Sequence, residues 1–383
     1  MSRTIVDIHI IQTLPPSNVN RDDTGSPKTA VFGGVRRARV SSQAWKRSTR
    51  VDFASSFDAS DLGVRTKRVV ELLADEIRIQ APDLADKSID MATDVFKAAG
   101  IELTKPRKNQ DGLDEAKYLI LLGRRQVEAL AREVIASLGS ENNSKIDKKM
   151  VHNLLRKGNS IDLALFGRMV ADVSDGSLNV DAAVQVAHAL SVHAVDNEYD
   201  YFTAIDELKD GRNGNGDTDD TGAGMIGTVE FNSSTLYRYA TIDVNELQGN
   251  LADPDVTRRA VTAFISSFVK SMPTGKQNTF ANRTLPDAIM IIVRNDQPVS
   301  LVGAFEDPIR DGSANGRVRQ ATKQLAQYAM DVANAYASPS ERAWVTGVGD
   351  RAKALEEIAK PLPFDQLLAA LDETLTERLT DAR

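Results

Sequence analysis

Six arginines and lysines fall within AVFGGVRRARVSSQAWKRSTRV, residues 30 to 51, with no acid among them. From Thr24 to Val51 the cations are Lys28, Arg36, Arg37, Arg39, Lys46, Arg47 and Arg50, which makes the segment +7. The rest of a chain of formal net charge -7 then carries -14. Charge is segregated. A phosphate backbone is held by guanidinium and ammonium groups aimed at its oxygens, by amides at a helix N-terminus, and by small polar side chains. This stretch supplies all three. The Gly33–Gly34 pair permits close backbone approach, Ser41 and Ser42 offer hydroxyls, and Gln43 offers an amide that can bond sugar or base. Phe32 and Trp45 are its only aromatics, so backbone tracking suits it better than base stacking.

Other chemistries have weaker claims. The chain has no G-x-S-x-G elbow and no H-E-x-x-H, and Thr274-Gly275-Lys276 lacks the upstream glycine of a phosphate-binding loop, because Lys270 stands there. Its four histidines are His9, His152, His188 and His193, and they read as packed or surface residues rather than as ligands. The acidic run DTDDTG at 217–222 starts like a calcium loop, but its twelfth position is Thr228 instead of glutamate. No catalytic residue, metal or cofactor is therefore expected.

The elements that would position the basic stretch follow from periodicity. Residues 3–12 alternate, with Val6, Ile8 and Ile10 on one face and Asp7 and His9 on the other, as in a half-buried strand. A turn-rich loop, PPSNVNRDDTGSP, leads through Gly33–Gly34 into the strand VRRARV, which sets Arg37 and Arg39 on one face and Arg36 and Ala38 on the other. Ser41 or Ser42 caps a helix from Gln43 to about Ala54, with Gln43, Lys46 or Arg47, and Arg50 along one side. Residues 63–157 are mostly helical by their apolar spacing. SIDLALFGRM at 160–169 reads as a strand, and DAAVQVAHALSVHAV as a helix running into a strand. Residues 196–232 form a hairpin-like excursion with a Gly-, Asn- and Asp-rich middle. STLYRYATIDV and LPDAIMIIVRND read as strands, and VTRRAVTAFISSFVKSM, 318–337 and 364–380 as helices. This order implies an α+β fold on an antiparallel sheet of ferredoxin-like type.

With 383 residues, core volume is not limiting, and no apolar run approaches a membrane span. The N-terminus reads as a strand and not as a signal peptide. Zero cysteines exclude disulfides and thiolate metal sites and fit a cytoplasmic location.

The residues also carry a resemblance. N-x-N-R-D-D at 18–23 is followed by K-x-A-x-F-G-G-x-R-R-x-R-x-S-S-Q-x-x-K-R at 28–47. Further on come D-x-A-L-x-G-R-M at 162–169, A-H-A-x-x-x-H-x-V-D at 187–196, Y-F-T-A-x-D-x-L at 201–208, G-T-x-E-F at 227–231 and L-Y-R-Y-A-x-I at 236–242. Together these resemble the CasC family, the backbone subunit of the type I-E CRISPR complex Cascade, over most of residues 1–310. The resemblance implies a modified RNA-recognition palm (1–57, 181–193 and 233–383), a helical fingers domain (58–180) and a thumb hairpin (194–232).

It also implies a non-catalytic subunit that binds the guide RNA (crRNA) and polymerises head to tail in antiviral defence. Guide contacts then fall to Arg21, Lys28, Ser41, Ser42, Gln43, Lys46, Arg47 and Arg50, joined by Arg36, Arg37 and Arg39 of the basic strand. Arg168, Met169 and Thr203 would help displace guide bases, and Lys276 and Gln277 are further candidates. The implied partners are the crRNA, the target DNA strand paired to it, further copies of the chain, and the large, small, guide-end cap and repeat-processing endonuclease subunits, with no membrane. The family places a lysine after the double glycine where this chain has Val35. Two alternatives stay open: a ribonuclease using thumb or palm aspartates such as Asp196, Asp200 or Asp206, and a scaffold that touches protein only.

Overall fold

Val6, Ile8 and Ile10 alternate with Asp7, His9 and Ile11 along β1 (Ile5–Ser17), and all six are buried. The expected half-buried strand is instead the centre of a sheet covered on both faces. The even-numbered residues join one apolar cluster and Ile11 joins another. Asp7 and His9 tolerate burial because they have partners: Asp7 accepts from the Tyr239 hydroxyl at 2.8 Å and pairs with Arg294 at 3.1 Å, and His9 Nδ1 lies 2.9 Å from the Tyr237 hydroxyl. The computed structural model describes residues 3–106, 111–138, 146–173, 176–204, 225–310, 316–336 and 341–380.

After a loop come β2 (Thr29–Phe32) and β3 (Val35–Val40), joined through Gly33 and Gly34 at φ 57° and 75°. This left-handed backbone favours glycine. Then α1 (Ser42–Asp52) starts at Ser41, whose hydroxyl accepts from the Ala44 amide at 3.4 Å, and it buries Trp45 and Thr49. The expected helix is thus present, with Ser41 as its cap.

A second unit follows: β4 (Gly63–Thr66), α2 (Val69–Gln80), α3 (Ser88–Ala98), β5 (Leu103–Thr104), β6 (Glu115–Ala116), β7 (Ile120–Gly123), α4 (Arg124–Leu138) and α5 (Lys148–Arg156). Its helices bury Leu73, Ile77, Val95, Phe96, Leu130, Val134 and Leu155 in a core of their own. The mostly helical reading of 63–157 therefore holds, with two small two-stranded sheets added.

The chain returns through α6 (Ile161–Phe166), β8 (Val184–Val186), β9 (Ala189–Ser191), β10 (Glu198–Ala204), β11 (Met225–Asp243), α7 (Val244–Leu251), α8 (Pro254–Lys270), α9 (Gln277–Phe280), β12 (Ala288–Arg294), α10 (Gly316–Tyr336), β13 (Arg342–Gly347), β14 (Lys360–Pro361) and α11 (Phe364–Thr380). Two sequence expectations are corrected here. SIDLALF is a short helix and not a strand: its apolar residues run together instead of alternating, and Gly167 ends it at φ 77°. DAAVQVAHALS forms two short strands and not a helix, because β8 and β9 pair with β11 and β9 also pairs with β3. Tertiary pairing overrides local helical spacing there.

The sheet runs β14-β13-β12-β1-β11-β9-β3-β2, with β10 and β8 also on β11. One face packs on α1, α6, α7, α8 and α11, and the other on α10 and the segment 299–309. Although α6 falls within the span 58–180, its Ile161, Ala164 and Leu165 belong to the first of these clusters. β10 and β11 make a hairpin stem in register from Glu198↔Phe231 to Ala204↔Met225. The acidic run at 217–222, Asp206 and the tip at 210–224 lie outside the described residues.

Candidate nucleic-acid interface

Hydrogen bonds fasten three basic segments together. Asn20 Oδ1 accepts the Ser41 amide at 2.8 Å, and Asn20 O accepts the Lys28 amide at 2.9 Å. Lys28 O in turn accepts the Arg39 amide at 2.9 Å. The loop carrying Arg21 and Lys28 is thereby docked against β3 and the start of α1, and Lys28, Arg39 and Asn20 line one small cavity. A wider concavity, lined by Asn20–Gly25 and Gly275, adjoins it. Gly275 packs so closely on Val19 that an added Cβ would stand 2.3 Å from the Val19 carbonyl oxygen. That contact brings Lys276 and exposed Gln277 beside the loop.

The predicted cations divide into two groups. Arg21, Arg36 and Arg47 are exposed, Lys28 and Lys46 are half-buried, and none of the five forms an ion pair among the described residues. Lys46 lies over the Phe166 ring at 6.0 Å, and burial pulls its ammonium below the ordinary lysine value. Elsewhere arginines commonly face carboxylates, as in Arg3–Asp243, Arg258–Asp372 and Arg342–Glu377. Cations left without carboxylate partners in an acidic chain concentrate positive potential on this surface.

The second group is structural. Arg37 is fully buried and donates to the carbonyls of Phe32, Ser191, Phe305 and Glu306 at 2.8–3.1 Å. It is not a solvent-facing contact; it ties the basic hairpin to the segment that covers the sheet. Gly33 shares this dock, since a Cβ there would strike the Glu306 carbonyl oxygen at 1.7 Å. Arg168 is also buried: it donates to the Leu178 and Leu155 carbonyls at 2.9 and 2.7 Å, and burial pushes its pKa down to about 10. Both corrections have one cause, a guanidinium whose donors are taken by carbonyls inside the protein.

Arg50 is a clamp. Its Nε donates to Asp162 Oδ2 at 2.6 Å and its Nη2 to the Gly63 carbonyl at 3.0 Å. Asp162 is buried and also accepts from the Gly63 amide at 2.8 Å and the Ser160 hydroxyl at 2.7 Å. Arg50→Ala is therefore expected to cost about 2 kcal/mol, below the figure for a fully buried pair because Arg50 is partly exposed. Urea unfolding checks this, and an unchanged midpoint would refute it.

Gln43 is exposed and Ser42 partly so, while Ser41 is buried as the cap. Arg39 is half-buried, and its Nε donates to Thr29 O at 3.1 Å. Met169 is 78% exposed, on the segment that follows α6, next to the buried Arg168. Thr203 stands opposite Ile226 in the hairpin stem. That stem is fastened to the basic loop by Asn18, whose amide donates to Glu230 O at 2.9 Å, and by Ser26, whose hydroxyl donates to Glu230 Oε1 at 2.8 Å.

Sequence reasoning missed Asn20 and His188. Asn20 orients Ser41, and His188 accepts the Ser42 amide on Nδ1 at 3.2 Å. His188 is placed by β3–β9 pairing and Asn20 by the folding of its loop onto Lys28 and Ser41, neither of which a local pattern announces. Among the described residues no group of three His, Asp or Glu is arranged to hold a metal, and no helix is long and apolar enough to cross a membrane.

The architecture recurs in chains of RNA-guided assemblies. One solved structure, "CRISPR RNA-guided surveillance complex, pre-nicking", contains a chain that matches with a TM-score of 0.82 and 33% identity over 97% of this chain and 100% of that one. Another, "CRISPR RNA-guided surveillance complex", matches with a TM-score of 0.71 and 29% identity over 96% and 99%. Residues 6–370 match the family described as CT1975-like protein, and the chain belongs to that family. The resemblance carried by the motifs of residues 18–47 and 162–242 is thereby borne out. No curated protein matches the chain.

Proposed function

We propose that this chain is the guide-RNA-binding backbone subunit of a type I-E CRISPR surveillance complex. It holds the sugar-phosphate strand and leaves base edges free for pairing with target DNA. The observation that carries this reading is the set of unpaired cations Arg21, Lys28, Arg36, Lys46 and Arg47, on segments hydrogen-bonded around one helix start. The similarity to chains of RNA-guided surveillance complexes supports it. In this reading the sheet and its helices are an RNA-recognition palm, the second core is the fingers, and the β10–β11 hairpin is the thumb. A hairpin that reaches the next copy makes a head-to-tail contact that does not close, so copies line up as a filament along the guide. The role is non-catalytic. Acidity elsewhere limits indiscriminate binding, while the local patch attracts RNA.

The test is the affinity of the full chain for single-stranded RNA as a function of salt, with RNA length checked in the same samples. Five phosphate contacts at about 0.7 each give a log–log slope of about -3.5 with intact RNA. A flat slope would reduce the patch to a solvated face and favour the protein-only scaffold. Shortened RNA, abolished by replacing exposed Asp196 or Asp200, would favour the ribonuclease.

A further inference from the structure

His188 has a defined place in the basic groove but no role in the reading above. We propose that its Nε2–H is a neutral hydrogen-bond donor to a phosphate oxygen of the bound strand, placed among the charged donors Lys28 and Arg39; this rests on the RNA-binding reading. The position follows from register. Val40 pairs with Ala189 and Arg39 with Leu190, so His188 falls beside Ser41 at the start of α1. Its Nδ1 lies 3.2 Å from the Ser42 amide nitrogen. An amide N–H can only donate, so Nδ1 is the acceptor, and the neutral ring must carry its proton on Nε2.

The residue is exposed, and Nε2 has no hydrogen-bond partner among the described residues. Partial burial and the nearby charges of Arg39 and Lys28 hold the imidazole below its ordinary pKa, which keeps this tautomer at neutral pH. A second proton would have to displace the Ser42 amide from Nδ1. The site therefore presents an uncharged donor of fixed direction together with two cations. An oxyanion with several acceptor oxygens satisfies that set, and the strand assigned to this groove supplies one at each nucleotide.

Three variants of the full chain separate the two ring nitrogens. In His188→Asn the amide reaches the Nδ1 position and can still accept from Ser42, but nothing replaces Nε2–H. In His188→Gln the amide reaches the Nε2 position and can donate, while the Ser42 contact is lost. His188→Ala removes both. The readouts are thermal midpoint, affinity for a mixed-sequence single-stranded RNA, and salt slope. The expected result is that His188→Asn melts with wild type yet binds RNA about ten- to a hundredfold more weakly, as for one lost hydrogen bond to a charged group. Its salt slope stays unchanged, because a neutral donor releases no counterion. His188→Gln binds like wild type and melts lower. If wild type shows its salt-dependent affinity and His188→Asn equals it, the proposal for His188 fails and the RNA-binding reading stands. If wild type shows no salt-dependent affinity, both fall.

Discussion

Alanine at Arg21, Arg36, Lys46 and Arg47 together should weaken single-stranded RNA binding about a thousandfold, at ~1 kcal/mol for each solvent-screened charge-assisted contact. The log–log salt slope should shrink by about 3 units, four phosphates at about 0.7 each. These four are chosen because none forms an ion pair among the described residues, so removing them leaves no carboxylate without a partner. The cost in stability should stay within about 0.5 kcal/mol at each of the three exposed arginines, and reach about 1 kcal/mol at half-buried Lys46, whose side chain also covers the Phe166 ring. Lys46 with Arg50 looks like the natural pair from helical spacing, but Arg50 also holds Asp162 and would confound binding with unfolding. The loss should be the same for RNAs of unrelated sequence, since backbone contacts carry no sequence information. Equal affinity and slope in the variant and in wild type at moderate salt would overturn the assignment of this groove.

The basic stretch was legible because charge segregation and a Ser-capped helix are local properties. The division of labour within it was not. Alternation in VRRARV puts Arg37 and Arg39 on one face, and says nothing of a carbonyl at Phe305, 268 residues away, waiting for Arg37. Arg238 shows the same limit from the other side. It lies within the apolar and aromatic strand STLYRYATIDV, yet its guanidinium is buried 3.6 Å from the Trp45 ring centroid and 4.4 Å from that of Phe268. This cation–π stack joins β11, α1 and α8, and helps to fix the helix that carries Lys46 and Arg47. Patterns of two and 3.6 residues found the central strands and the long helices, because burial dictates those periods. They failed at 161–166 and 184–191, where segments of three to six residues take their conformation from neighbours already in place. Asp7 and His9 were legible as a polar face but not as an interior one, since what covers them is contributed by residues 299–309 and α10.

His9 should make the fold acid-sensitive well above the range of carboxylate titration. Burial pushes its imidazole down to about 3, with the nearby Arg294 charge adding to the effect, and its Nε2 has no partner among the described residues. An unfolded histidine titrates near 6.5. The contribution of His9 is therefore fully present above pH 6.5 and drains as pH falls toward 3, because the unfolded chain takes up a proton that the folded chain refuses. Over that window the loss is about 5 kcal/mol, comparable with the whole stability of many domains. Asp7 works in the opposite direction. Its carboxyl is pushed up by burial, so protonation on acidification relieves part of the cost of keeping it charged inside. Urea midpoints measured at steps between pH 7 and 4 should fall continuously from near pH 6.5. His9→Asn keeps an acceptor near the Tyr237 hydroxyl but cannot titrate. It should be less stable at pH 7, where it leaves a gap between Tyr237 and Tyr239, and its midpoint should change less with pH than that of wild type. Parallel curves for the two proteins would mean that the acid response comes from other groups and that His9 is protonated inside the fold.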